Sequence, residues 1–167
     1  MLERLMPDFF FDTFRGVTVE FLRKEGICFL LVDIDNTLAP YEEPIPSDAV
    51  RAWVKALLED GVKLAFVSNN HKERVELFAR DLAVPAFADC GKPLKKKPLA
   101  IMAEMGAEQG ATATLGDQIF TDVWCARNLG VRAILVPPIR DKKTFFFRFK
   151  RALEKPILKK YHKKNGR

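Results

Sequence analysis

The chain predicts an α/β fold, a parallel sheet of about five strands flanked by helices, with no second domain inserted. Three observations predict it. Short apolar runs alternate with amphipathic stretches, the pattern of strands joined by crossover helices. Glycine or proline punctuates most changes of period. Several apolar runs end in carboxylates, hydroxyls or amides, which suits the carboxyl edge of an open sheet, where such folds bind ligands.

In chain order, residues 18–25 read as a short helix stopped by Gly26, and 27–33 as the first strand. Ser47-Asp48 caps a helix running to about Asp60, with Gly61 ending it. Its apolar positions Val50, Trp53, Val54, Leu57 and Leu58 fall at helical spacing. The second strand is 62–67, followed by a helix over 71–82 that buries Val75, Leu77, Phe78 and Leu82. A short strand over 84–88 precedes a helix with Pro98 in its first turn and Gly106 as its stop. Strand 112–116, a helix over 120–129 ended by Gly130, and strand 131–136 complete the sheet.

A chain of 167 residues, 48% apolar, is long enough to bury one self-sufficient core. The expected division is a single domain over 1–153 and a basic tail over 154–167. No apolar run approaches the roughly 20 residues that cross a bilayer. Glu3, Asp8 and Asp12 break the N-terminal hydrophobics, unlike a secretion signal. Cys28, Cys90 and Cys125 are odd in number and lack Cys-x-x-Cys spacing, which argues against a disulfide framework or zinc site. Cys28 and Cys125 read as small core residues, and a cytoplasmic setting is expected. The net charge of +6 is uneven: 12 basic residues face 2 acidic ones from Arg140 onward, against 16 and 20 before it.

The chemistry concentrates in four places. Asp33-Ile34-Asp35-Asn36-Thr37 follows the first strand, and two carboxylates so close form a nucleophile and acid/base pair once a cation neutralises them. Ser68-Asn69-Asn70 follows the second strand and offers a hydroxyl and amides at a strand-to-helix turn, where phosphate oxygens are readily held. Lys92-Pro93 lies past the third strand, and Gly116-Asp117-Gln118-Ile119-Phe120-Thr121-Asp122 closes the fourth.

Taken in order, these segments resemble the four signature motifs of the haloacid dehalogenase (HAD) superfamily of phosphohydrolases. With Pro7-Asp8 and Lys92-Pro93-Leu94 added, they are similar to the YqeG-type branch (HAD IIIA), the bacterial relatives of mitochondrial phosphatidylglycerophosphate phosphatases. The resemblance runs from about residue 5 to about residue 153. It implies an HAD-like Rossmannoid sheet and a phosphomonoester phosphatase that works through an aspartyl-phosphate. Asp33 is the implied nucleophile, and Asp35 the acid that protonates the leaving oxygen and then the base that activates water. Thr37, Ser68, Asn69 and Lys92 are implied around the phosphate. Lys97 also precedes Pro-Leu, but Lys92 matches the family's Lys-Pro-Leu better. The implied cofactor is Mg²⁺, which favours octahedral oxygen coordination, held by Asp33, the Asp35 carbonyl and Asp117, with Asp122 in its outer shell.

Thirty residues separate Thr37 from Ser68 and 23 separate Ser68 from Lys92, too few to house a cap domain. An open site suits a phosphorylated substrate that is large or surface-bound, and the resemblance points to a lipid headgroup, phosphatidylglycerophosphate. The segment 142–153 mixes four phenylalanines with basic residues; as a helix it sets Phe145, Phe149, Ala152 and Leu153 on one face, with Lys150 and Arg151 largely off it. Such a helix either lies peripherally on an anionic membrane, at about 1 kcal/mol per basic residue, or packs on the sheet. Phe9-Phe10-Phe11 and Phe14 are further apolar anchors in the first case. The alternatives are a phosphatase of soluble phosphometabolites and a non-catalytic basic module on RNA or membrane. Nucleic acid is not the expected partner, since no recognition motif is present.

Overall fold

The structure, a computed structural model, describes residues 5–140 and 145–166, the side chains of 145–151 excepted. Its sheet has six parallel strands: β1 (Phe9–Phe10), β2 (Phe29–Val32), β3 (Lys63–Val67), β4 (Ala86–Phe87), β5 (Thr112–Gly116) and β6 (Arg132–Leu135). The order is β1-β6-β5-β2-β3-β4, so β2 is central, with Leu30 level with Leu64 on one side and Ala113 on the other. All four residues of β2 are buried, as a continuous apolar run requires when both sheet faces are covered.

The helices are α1 (Val19–Lys24), α2 (Asp48–Glu59), α3 (Lys72–Ala79), α4 (Lys96–Glu104), α5 (Trp124–Leu129) and α6 (Phe145–Lys164). Alternate residues of β2 and β3 feed two cores. Leu30, Val32, Leu64 and Phe66 pack with Leu22 of α1, Val50, Trp53, Val54 and Leu57 of α2, and Val75 and Phe78 of α3. Phe29, Leu31, Ala65 and Val67 pack with Ile101 and Met102 of α4, Leu129 of α5, and Ile157 and Tyr161 of α6. Local chemistry sets the ends: the Val50 N–H donates to Ser47 Oγ at 3.4 Å, and Gly61 leaves α2 at φ 84°.

Four findings depart from the sequence reading or decide between its alternatives. β1 adds a sixth strand, because Asp8 Oδ2 accepts the Ala133 N–H (2.7 Å) and the Arg127 guanidinium (2.9 Å), pinning this segment to β6. Of the two readings of the N-terminal aromatics the structure shows packing: Phe9 and Phe11 stack edge-on against Phe21 at 4.9 and 4.8 Å, and Phe14 is buried. Cys28 is exposed, one residue ahead of β2. The expected helix over 120–129 begins instead as a wide π turn, Ile119–Val123, ahead of α5.

The boundary expected at residue 153 falls inside α6, where Glu154, Ile157 and Tyr161 are buried at helical spacing. The Phe145 and Phe149 side chains, with Lys150 and Arg151, lie outside the described residues, as does 142–144. Only a loop and α2 join β2 to β3, and only α3 lies between β3 and β4, so among the described residues no lid domain is inserted in either connection.

Candidate active site

The carboxyl ends of β2, β3, β4 and β5 converge, and the residues they carry are almost wholly removed from water. Asp33, Asp35, Thr37, Ser68, Lys92, Asp117 and Asp122 are all buried. The Lys92 ammonium stands between two carboxylates, donating to Asp33 Oδ1 at 2.7 Å and to Asp122 Oδ1 at 2.6 Å. Lys97 is exposed and donates to the carbonyls of Ala88 and Asp89, away from the carboxylates. Asp33, Asp117 and Asp122 each bring one carboxylate oxygen within 4.8 Å of the others. This is an all-oxygen set of hard donors, which fits a small divalent cation.

The loop after β2 turns tightly. Asn36 takes φ 63°, a left-handed conformation that asparagine tolerates better than most residues. Its carbonyl and side-chain oxygen accept the main-chain N–H groups of Ile139 and Arg140, tying this turn to the loop after β6. The turn sets Thr37 Oγ1 3.4 Å from Asp33 Oδ2. Asp35 is gripped from α3 and the turn before it: Asn70 Nδ2 donates to Oδ2 at 3.0 Å, and Arg74 Nη2 lies 3.1 Å from Oδ1. That approach is too poorly aligned for a hydrogen bond, since Asp35 Oδ1 has no hydrogen-bond donor, so the pair is held by charge alone. Arg74 also donates to the Pro44 carbonyl at 3.0 Å and lies over Phe78, joining the acid to the loop above it.

Ser68 Oγ accepts the Asn70 N–H at 3.0 Å and keeps its own hydrogen to donate. Asn69 is exposed, and its side chain grips the main chain of Lys92 in both directions, Nδ2 to the carbonyl at 2.8 Å and Oδ1 from the N–H at 2.7 Å. The amide expected at the phosphate therefore positions the lysine loop. Asp122 Oδ2 accepts from the Gln118 N–H (3.1 Å) and Thr121 Oγ1 (3.2 Å), so the π turn folds back on its own carboxylate.

Electrostatics follow from this crowding. Burial above all, with the charges of Asp122 and Asp35, raises the Asp33 carboxyl from 3.8 to about 7 although Lys92 opposes the rise. Burial alone would lower the Lys92 ammonium, but Asp122 and Asp33 outweigh it and hold the proton more firmly than usual. Burial, then Asp117 and Asp33, raise the half-buried Tyr41 phenol, which places it in the field of the same cluster. Tyr41 and Arg74 are the site residues that sequence reasoning missed, and Asn70, expected as an amide donor at this turn, is found on Asp35. Arg74 carries no sequence signal, for a basic residue on an amphipathic helix ordinarily faces water.

The fold and the strand-end carboxylates define an HAD-like hydrolase, and the HAD-hydrolase-like family profile matches residues 89–138. Deoxy-D-mannose-octulosonate 8-phosphate phosphatase from Haemophilus influenzae, solved in a cobalt-bound form, shares the fold at TM-score 0.52 and 17% identity, over 81% of this chain and 89% of that one. The N-terminal part of BF1531 from Bacteroides fragilis, a phosphatase domain complexed with Mg, matches at TM-score 0.51 and 17% identity, over 81% of this chain and 43% of that one. Probable phosphatase YqeG of Bacillus subtilis is 31% identical over 153 residues, 92% of this chain and 89% of the relative. The chain belongs to this YqeG-type family of HAD phosphatases.

Proposed function

We propose that the protein is a Mg²⁺-dependent phosphomonoesterase acting through Asp33, with phosphatidylglycerophosphate as its substrate. The bridging of Asp33 and Asp122 by Lys92, beside Asp117, carries the reading: one lysine and three carboxylates from the segments after β2, β4 and β5 come together. Asp33 attacks phosphorus and the ester P–O bond breaks, while Asp35 gives its proton to the departing oxygen. Water then attacks the aspartyl-phosphate, Asp35 takes back a proton, and inorganic phosphate leaves. Thr37 and Ser68 supply hydroxyls to the phosphoryl oxygens, Lys92 supplies charge, and Asn69 holds the Lys92 loop. Asp33, the Asp35 carbonyl and Asp117 would hold the ion, with Asp122 in its outer shell, and the ion would offset the carboxylates and the phosphate charge.

The lipid assignment rests on the family resemblance, on the uncapped edge of the sheet and on α6, whose Lys155, Lys159, Lys160, Lys163 and Lys164 are exposed. We place this face on the inner surface of an anionic membrane as a peripheral contact. Among the described residues no helix is long and apolar enough to cross one. The test is phosphate release from phosphatidylglycerophosphate in mixed micelles, beside a panel of sugar phosphates and nucleotides. Wild type should prefer the lipid with Mg²⁺ and be silent with chelator, and Asp33→Asn should be inactive. Equal or better turnover of the soluble panel overturns the lipid substrate; full activity in Asp33→Asn overturns the mechanism.

A further inference from the structure

We propose that Glu154, far along the chain on α6, is a positioning residue for the divalent ion. It rests on the assignment above of Asp117 and Asp122 to that ion. Glu154 is 2% exposed, which is rare for a glutamate without a specific partner. Its Oε1 accepts the Ile119 N–H at 2.9 Å in a buried setting. Ile119 opens the π turn, so this N–H is one of the initial donors that the turn itself cannot satisfy. A carboxylate there makes a charge-assisted bond of greater strength than a neutral acceptor gives.

The bond lies where it can set the ion site. Asp117 precedes the turn by two residues, Asp122 lies within it, and Asp122 Oδ2 already fixes the adjacent Gln118 N–H at 3.1 Å. The two carboxylates thus fasten successive N–H groups of one turn, Asp122 from inside and Glu154 from the far helix. Glu154 and Asp117 also line the same cavity of about 220 Å³, with Phe10 and Leu158. α6 is itself anchored: Ile157 is fully buried, and Tyr161 lies against Phe10 with ring centroids 6.2 Å apart. Residues that orient a metal's ligands change its affinity by about 10–100-fold when lost. The structure assigns that part to Glu154, so the C-terminal helix completes the ion site from outside the four motifs.

The test measures ion binding by the full chain, with Mn²⁺ by paramagnetic resonance and Mg²⁺ by calorimetry, independently of turnover. Glu154→Ala should weaken both ions about 10–100-fold. Glu154→Gln, which keeps an acceptor at the same place, should restore most of that loss. Leu57→Ala, in α2 on the opposite face of the sheet, should lower the melting temperature and leave ion affinity within about threefold, which separates positioning from general loosening. If Glu154→Ala does not fold, Glu154→Asp, which withdraws the carboxylate by one methylene, should show the same weakening. Wild-type binding with unchanged affinity in a folded Glu154→Ala or Glu154→Asp overturns the role of Glu154 alone. A wild type that binds neither ion overturns the assignment of Asp117 and Asp122 beneath it.

Discussion

Gly116→Ala tests the site through a single methyl group. Gly116 ends β5 on the central part of the sheet, and an added Cβ there would lie 2.2 Å from Asp122 Cγ, 2.4 Å from Oδ2 and 2.5 Å from Cβ. The backbone at Gly116 does not take a positive φ, so alanine meets no conformational strain and the effect is one of contact. Ordinary contact begins near 3.4 Å, so Asp122 must withdraw by about 1 Å. Rotation of its carboxylate cannot achieve this, because Asp122 Cβ is also struck; the π turn itself must move. That movement breaks the 2.6 Å contact with Lys92 and draws Asp122 off the carboxylate cluster. A displacement of about 1 Å costs about 100-fold in rate, and overpacking of this kind destabilises by about 1–3 kcal/mol, or roughly 2–12 °C in Tm for a chain of this size. The assay is hydrolysis of p-nitrophenyl phosphate with Mg²⁺ titrated, beside a thermal melt. We expect kcat/KM to fall about 100-fold with a raised Mg²⁺ requirement. Activity within threefold of wild type would refute the placement of Asp122 against β5.

Two further expectations follow from the neighbours of Asp33 and Asp35. Arg74→Met removes the charge 3.1 Å from Asp35 and its hold on Pro44, so turnover of alkyl phosphates, which need a proton at the departing oxygen, should fall about 100-fold and that of p-nitrophenyl phosphate less than about 10-fold. Equal losses on the two leaving groups would assign Arg74 to the fold alone. Because burial and Asp122 raise Asp33 from 3.8 to about 7, the folded chain without ion binds this proton more tightly than the unfolded chain, and stability must decline as pH rises through that window. The melting temperature of wild type in chelator, minus that of Asp33→Asn, should drop between pH 4 and 7 and flatten with saturating Mg²⁺; a difference that rises with pH would contradict the burial of this carboxylate.

The sheet was legible because its strands are short apolar runs bounded by punctuation. β5 (Thr112–Gly116) is found as expected, and β2, β3 and β6 lie one or two residues inside their expected limits. β1 was not legible: two residues cannot show a period, and what makes Phe9–Phe10 a strand is Asp8, fastened to a partner 125 positions away. The π turn was hidden because the residues of 119–129 have a helical pattern, while its width follows from Asp122 folding under Gly116. The motif residues were readable from their places at strand ends. Their supports were not. Arg74 reaches Asp35 from 39 positions on, and Asn69 reaches Lys92 across 23, as side-chain contacts that leave no periodic trace. Amphipathicity likewise revealed the helix at the C-terminus without revealing what it covers, since a stripe such as Glu154, Ile157 and Tyr161 is defined only by the surface it meets.

The charge balance explains why this arrangement needs an ion and how its labour divides. At the carboxyl ends of the strands, four buried carboxylates, Asp33, Asp35, Asp117 and Asp122, stand with two buried cations, Lys92 and Arg74. Arg74 is committed to Asp35 and the Pro44 carbonyl, and the Lys92 ammonium is shared between Asp33 and Asp122. Burial above all, with the charge of Asp122 added, raises Asp33 toward neutrality although it touches Lys92. In the proposed mechanism a divalent cation would offset this carboxylate charge and so leave Asp33 free to be an anion and a nucleophile at neutral pH. Lys92, held more firmly protonated than an ordinary lysine, is a fixed charge and a poor proton donor. The proton transfer proposed for Asp35 suits its surroundings, since its carboxylate is steered by Asn70 and Arg74 and not by the ammonium. The proposed mechanism thus gives charge neutralisation and proton transfer to different loops, the first to those after β4 and β5, the second to the turn after β2 under the control of α3.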